Sequence, residues 1–225
     1  MQRLMSRREY AQGEAPFPDE VTRDDAIAIA ADVHRAVDLA AERRAEVAAR
    51  KGSSIACHAG CSACCEQLVM IWSGEAELIA EWLDQPEQAE IRRAFLEAYP
   101  AWLEKSTPAI DRVLQLTAAG DAKGQFAALV DHWRQRVLCA FNAGGLCTIY
   151  PVRPVLCRNA HALDTPAKCH PDNDTGTAAT SLHFVPLEDF LRKTRSLAMA
   201  VHHARGGARK QPEPLPTAVF ERLVR

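Results

Sequence analysis

Four of the eight cysteines in this chain fall within nine residues, Cys57, Cys61, Cys64 and Cys65, in the run CHAGCSACC. Few features constrain a fold more, because so dense a group of thiols asks for a common ligand. The two residues between Cys61 and Cys64 make a chelate loop tight enough for both sulfurs to reach one metal. Cys57 stands four positions before Cys61, and on a helical turn that spacing shares a face. Gly60 allows a left-handed backbone or a close approach to a cluster. Cys65 is different, since adjacent side chains diverge and Cys64 and Cys65 are not expected to ligate one mononuclear ion together. Service to another metal, bridging in a multinuclear centre and a free thiol all stand for Cys65.

The remaining cysteines, Cys139, Cys147, Cys157 and Cys169, lie in a segment of different character, 139–175. It carries Gly144 and Gly145 and prolines at 151, 154, 166 and 171. Such a composition breaks helices, so the segment reads as loops with an external organiser, for which a metal centre is the natural choice. None of the four forms a tight pair, which argues against a zinc ribbon with its two CxxC knuckles. Closely spaced thiolates completed by a remote cysteine are closer to iron–sulfur ligation. A solitary buried cysteine is ordinarily a small hydrophobe, and that reading stands beside ligation for Cys65, Cys139 and Cys169. Eight thiols exceed the roughly four that one site needs.

A disulfide framework is the competing use of so many cysteines. The amino terminus, MQRLMSRREYAQGEAPFPDE, has no apolar core and does not read as a secretory signal. At 225 residues, 48% of them hydrophobic, the chain buries a core without needing staples. A reducing cytoplasm is therefore expected, with metal binding ahead of redox chemistry. The net charge of −2 gives no global basic field for nucleic acid. No run approaches the roughly 18 apolar residues of a membrane span.

Abundant alanine and sparse aromatics favour helix over sheet. Thr22 caps a helix with Asp24 and Asp25 in its first turn, and Ile29, Val33, Val37 and Val47 carry its apolar spacing to about Lys51, where Gly52 stops it. Leu68 to Trp72 is a short strand or buried link. Further helices are expected from Ser73, from Pro86, and from Thr107-Pro108 to Gly120. Another, over 124–138, turns Phe126, Leu129, Val130, Trp133 and Val137 to one face. A short strand at 181–185 and a helix opened by Pro186 (Leu187, Phe190, Leu191, Leu197, Ala198, Val201) end at Gly206-Gly207. Residues 1–20 read as a flexible arm, 21–205 as one helical domain, and 206–225 as a proline-rich surface tail.

CHAGCSACC, followed after a helical insertion by C-AF, C-TIY-PVRP-VL-CR and a later cysteine, resembles the YkgJ-type cysteine-cluster proteins. That family is described as a zinc- or iron-chelating domain with a CxxCxxCC motif. The likeness covers roughly residues 55–170, and all eight cysteines find a place in it. The chain departs from the motif in having three residues between Cys57 and Cys61. The resemblance implies metal or iron–sulfur binding and carries no common reaction.

A tetrathiolate holding Zn²⁺, or a four-iron cluster, carries a charge of about −2 that burial must compensate. Arg153 and Arg158 flank Cys157 and are candidates to donate hydrogen bonds to the centre, with a solvated turn residue as the plainer reading of Arg153. Ile149 and Tyr150 are expected to pack beneath it. His58, His161 and His170 are minor candidates to replace a thiolate. No Ser–His–Asp order, P-loop or GxGxxG occurs, and the glutamates of the insertion read as solvated. The expectation is a mostly α protein: a helical domain around an irregular cysteine-rich metal centre, with at most a few short strands. Its cofactor is an iron–sulfur cluster, of the 4Fe–4S kind, or iron, with zinc as the alternative. Iron implies electron transfer or an uncharacterised redox reaction with a partner protein. Zinc implies a structural or partner-binding module.

Overall fold

The computed structural model describes residues 22–172 and 212–225. Among these residues are six α-helices and four two-residue strands, so the fold is mostly α, as the composition implies. The arm at 1–20, the strand at 181–185 and the helix from Pro186 lie outside the described residues.

Helix α1 (Arg23–Arg50) begins where the sequence marks it. Thr22 Oγ1 accepts the Asp25 N–H at 3.1 Å, and the Asp25 carboxylate accepts the Thr22 N–H at 3.0 Å. These reciprocal bonds satisfy donors that a helix start leaves orphaned. Gly52, at φ +75°, follows its end as a left-handed stop. The buried face differs from the expected one: Ala26, Ala30, His34, Val37, Arg44 and Ala48 point inward, and only Val37 is shared with the predicted stripe. Small alanines let α1 lie close against helix α2 (Ser73–Leu83). At the closest point a Cβ on Gly74 would sit 3.1 Å from the Ala26 carbonyl oxygen. Because that oxygen belongs to a helix backbone, it has little room to yield. Gly74→Val should therefore lower stability by about 1–2 kcal/mol despite valine's better helix propensity, read as a shift in urea midpoint.

Helix α3 (Ala89–Ala118) corrects the expected break at Thr107-Pro108, since one helix runs through both Pro100 and Pro108. An internal proline costs about 3 kcal/mol, but here the inward stripe is continuous: Phe95, Tyr99, Trp102, Ser106, Val113 and Leu116 are all buried. Breaking the helix would strand that stripe. Phe95 stacks on Phe141 at 4.1 Å between ring centroids, and Tyr99 stacks on Phe220 at the same distance. Helix α4 (Ala122–Arg134) packs back on α3, capped by Asp121, whose carboxylate accepts the Gly124 N–H at 2.8 Å. Its inward residues are Ala128 and His132, with Leu129 and Val137 of the predicted face partly buried against the core and Phe126 67% exposed, so the predicted face is rotated by about a third of a turn.

His132 is buried with Nε2 3.1 Å from Ser106 Oγ. Desolvation lowers its pKa below the usual imidazole value of 6.5. As pH falls through 6.5 the unfolded chain takes up a proton that the folded chain refuses. Stability is thus complete above that pH and declines below it. Urea midpoints measured from pH 7.5 down to 5.5 should fall for the native chain and fall less for His132→Gln.

Residues 212–225 overturn the expected surface tail. Strand β1 (Met70–Ile71) pairs antiparallel with β4 (Glu213–Pro214) in the register Met70↔Pro214 and Ile71↔Glu213. Helix α6 (Leu215–Leu223) then lays Leu215, Ala218, Val219 and Leu223 into the core against α2. Its prolines suit a helix start, where Pro216 has no N–H to waste. Arg222 joins the buried Glu77 at 3.2 Å and Glu213 at 3.4 Å, and Arg23 reaches Glu77 from α1 at 2.8 Å. Glu75 and Glu77 are therefore buried connectors and not the solvated residues expected.

Candidate metal centre

The two cysteine regions are stitched together by backbone. Ala56 N–H donates to Ala162 O at 2.9 Å, Asp164 N–H to Ser54 O at 2.8 Å, and Ile55 bridges Leu163 antiparallel. At the other end of the first block Cys139 N–H donates to Cys65 O at 2.7 Å. Sequence reasoning expected a helical turn at 57–61. The chain instead forms a tight turn, with Cys61 N–H on His58 O at 3.1 Å and Gly60 at φ +88°, the left-handed conformation that glycine permits. A 3₁₀ turn, Ala63–Glu66, then carries Cys64 and Cys65.

Beyond Cys139, the second region supplies its thiols from three devices. Strands β2 (Asn142–Ala143) and β3 (Leu146–Cys147) form a hairpin closed by Gly144 and Gly145, both at positive φ, the requirement of a two-residue turn. That hairpin presents Cys147. Helix α5 (Val155–Asn159) presents Cys157, and the 3₁₀ turn Pro166–Cys169 presents Cys169. All eight cysteines are free thiols.

Cys64, Cys65, Cys139, Cys147 and Cys157 line one cavity of about 20 Å³, floored by Val69, Phe141, Ile149 and Leu215 and rimmed by Arg153. Space of that size holds one water-sized or ion-sized occupant. As the side chains stand, no three His, Cys, Asp or Glu groups among the described residues are placed to hold an ion. The backbone nevertheless gathers the thiols, and a cysteine sulfur moves by rotation about the single χ1 bond.

Burial dominates the electrostatics. It pushes the Cys139 thiol up to about 12 and Cys147 to about 11, with neighbouring sulfurs, Cys65 among them, adding to both. Cys157 is raised well above the ordinary thiol value by burial, then by Cys139, Cys147, Cys65 and Glu75. Cys169 rises to about 11 through burial, then through Cys57 and Cys61. Cys64 and Cys65 share a hydrogen bond, which holds the Cys64 thiol up and lets Cys65 ionise first, helped by Asn142. Cys65 apart, these thiols resist ionisation until a cation arrives to replace their protons.

The two arginines part company. Arg153 stays beside the cavity, its guanidinium 3.6 Å from the centroid of the Tyr150 ring and its Nη1 donating to Tyr150 O at 3.2 Å. Its charge favours the Cys147 thiolate. Arg158 is turned away, correcting its expected role. Nε donates to Arg153 O at 2.7 Å, Nη1 to Asp38 Oδ2 at 2.5 Å, and Nη2 to Pro151 O. With every nitrogen engaged, Arg158 braces the Cys157 loop against α1 and serves no thiol. Ile149 packs beneath the cavity as expected, whereas Tyr150 is on the surface.

His58 lies exposed with Nδ1 2.8 Å from Ala59 O, and His170 Nδ1 accepts the Asp172 N–H at 3.2 Å. The His161 ring is held neutral, first by desolvation and then by Arg44 and Arg153. None of the three lines the cavity. Two buried groups escaped sequence reasoning. The Glu75 carboxylate accepts the Val155 N–H at 2.8 Å and lies 3.4 Å from His34 Nε2, fixing the start of α5. Arg44 is 3% exposed with no hydrogen-bond partner among the described residues on any guanidinium nitrogen. A carboxylate at a helix start and an arginine at inward helical spacing were the available signals. No described helix is long and apolar enough to cross a membrane. Comparison with family models, curated proteins and solved structures finds no match to this chain.

Proposed function

We propose that this chain binds a metal ion or iron–sulfur cluster through cysteine thiolates, with Cys65, Cys139, Cys147 and Cys157 at its heart. One observation carries the reading: thiols from the 63–66 turn, the 142–147 hairpin region and α5 line a single small cavity. Three of these thiols, Cys139, Cys147 and Cys157, are costly to ionise where they stand, while Cys65 ionises first. Around a cation the same arrangement becomes a tetrathiolate shell, and Arg153 offsets part of its negative charge. An all-sulfur donor set from clustered positions favours iron or an iron–sulfur centre, which would serve electron transfer to a partner protein or a redox reaction. Eight free thiols suit a reducing cytoplasm. The YkgJ-type resemblance points to the same chemistry.

Zinc is the second reading, and the cavity itself favours it. About 20 Å³ matches a single ion better than a four-iron cube, and a closed tetrathiolate is a structural zinc site. Visible absorption and elemental analysis of anaerobically purified protein separate the two. Brown protein with acid-labile sulfide supports the iron–sulfur reading. Colourless protein with stoichiometric zinc supports the structural module. Protein with neither metal, fully folded, would sink both.

A further inference from the structure

A buried charge ordinarily has a partner, and Arg44 has none. Its Nε, Nη1 and Nη2 are each sealed from solvent without a hydrogen-bond partner among the described residues, and the residue is only 3% exposed. Burial lowers its pKa, yet a guanidinium keeps its proton at any physiological pH. Carboxylates of the same region are committed elsewhere: Asp38 to Arg158, Glu46 to Arg50 and Asp164 to Lys168. What Arg44 faces follows from two fixed points. Earlier on α1, Asp38 holds Arg158 of α5. Beyond the helix, Ser54 O accepts the Asp164 N–H at 2.8 Å and the Ala56 N–H donates to Ala162 O at 2.9 Å. Helix α1 and the segment 158–164 therefore run side by side, and Arg44 lies between the two ties, opposite residues 159–162. That segment carries a second orphan, His161 Nδ1, also buried and without a partner. After desolvation, the Arg44 charge is the strongest influence on the His161 ring, as neighbours across this seam require.

We propose that Arg44 and His161 form a binding site for a small oxyanion, a carboxylate or a phosphate group, held between α1 and the 159–162 segment. The guanidinium fork matches two oxygens of either group, and the neutral imidazole supplies Nδ1–H as a further donor. Without an anion an arginine gains nothing at this place in the inward stripe of α1. A methionine or leucine would fill the same space with no charge to desolvate. One wall of the site continues into α5, which carries Cys157, but no thiol takes part in it. The proposal is independent of the metal-binding reading.

Thermal unfolding of the full chain in chloride, inorganic phosphate and acetate at matched ionic strength tests it. Phosphate or acetate should raise the wild-type melting temperature saturably, by about 4 °C at ten times the dissociation constant. Whichever acts at the lower concentration tells a phosphate site from a carboxylate site. Arg44→Met should show no such rise, and the comparison removes the general stabilisation that kosmotropic anions give. In chloride it should melt at or above the wild-type temperature, because it removes an unpaired charge without opening a hole. His161→Phe should keep the rise but need about fivefold more anion, the loss of one hydrogen bond. Where Arg44→Met fails to fold, Arg44→Lys decides: one ammonium in place of the fork should weaken the anion about tenfold. Equal rises in wild type and the Arg44 variants, or no rise in wild type, overturn the proposal. So does a melting temperature for Arg44→Met several degrees below wild type in chloride with no anion effect on either, which assigns Arg44 to a carboxylate of the chain itself.

Discussion

On the metal-binding reading proposed above, a strong chelator should lower the melting temperature of the protein by on the order of 10 °C. Cys139→Ser should behave, with or without chelator, as the stripped wild type does. The size follows from where the thiols come from. Cys139 N–H is already bonded to Cys65 O, and the cavity draws on segments from both ends of the helical insertion. The unfolded chain has no such site, so binding free energy becomes folding free energy, less whatever the folded apo form retains. The direction with pH is set by the buried thiols. Held protonated at neutral pH, they must give up protons to the metal, so affinity should rise with pH. Scanning calorimetry at pH 6.5 and 8.0 reads this directly: the chelator-induced drop should be larger at the higher pH. A melting temperature indifferent to chelator would show that the helical core alone holds the fold.

The second large effect belongs to Arg158. Arg158→Ala should cost about 3 kcal/mol, because it removes three hydrogen bonds at once along with the packing of a buried side chain. Two of its acceptors, Pro151 O and Arg153 O, belong to the loop before Cys157, and the third is Asp38 on α1. Lysine offers one charged head in place of a planar fork, and Arg158→Lys should recover less than half of the loss in a urea titration. A residue donating to the metal centre would instead alter the visible spectrum or potential on substitution. Arg158→Lys should leave both unchanged in protein that remains folded.

Legibility in the sequence followed the locality of the physics. The start of α1 is written in Thr22 and Asp25, and its stop in Gly52, because caps act within a few residues. The inward face of the same helix is not, since Ala26 is chosen by the close approach of Gly74 in α2. Pro108 looked like a helix start, and only the stripe from Phe95 to Leu116 overrides it. The prolines around Glu213 suggested a tail, although Leu215, Ala218, Val219 and Leu223 already recur at helical spacing. In the site, the gathering of thiols was legible from CHAGCSACC and the loop-rich second block. The assignment of Arg158 was not, because its acceptors are backbone carbonyls and an aspartate on a distant helix. For Arg44 and Glu75 the sequence offers only inward spacing and a place at a helix start, and burial is what sets them apart.

The backbone stitching between residues 54–65 and 139–164 also sets a clock. Translation at about 5–20 residues per second leaves roughly 4–15 s between the emergence of Cys65 and that of Cys139. During that interval the nascent chain carries four thiols in nine residues without the partners that would enclose them. A CxxC pair is already a competent chelator, so on the proposed reading a metal is captured before the fold that buries it exists. The first cysteine block would then act as the recruiter, and the second as the closure that makes the capture permanent.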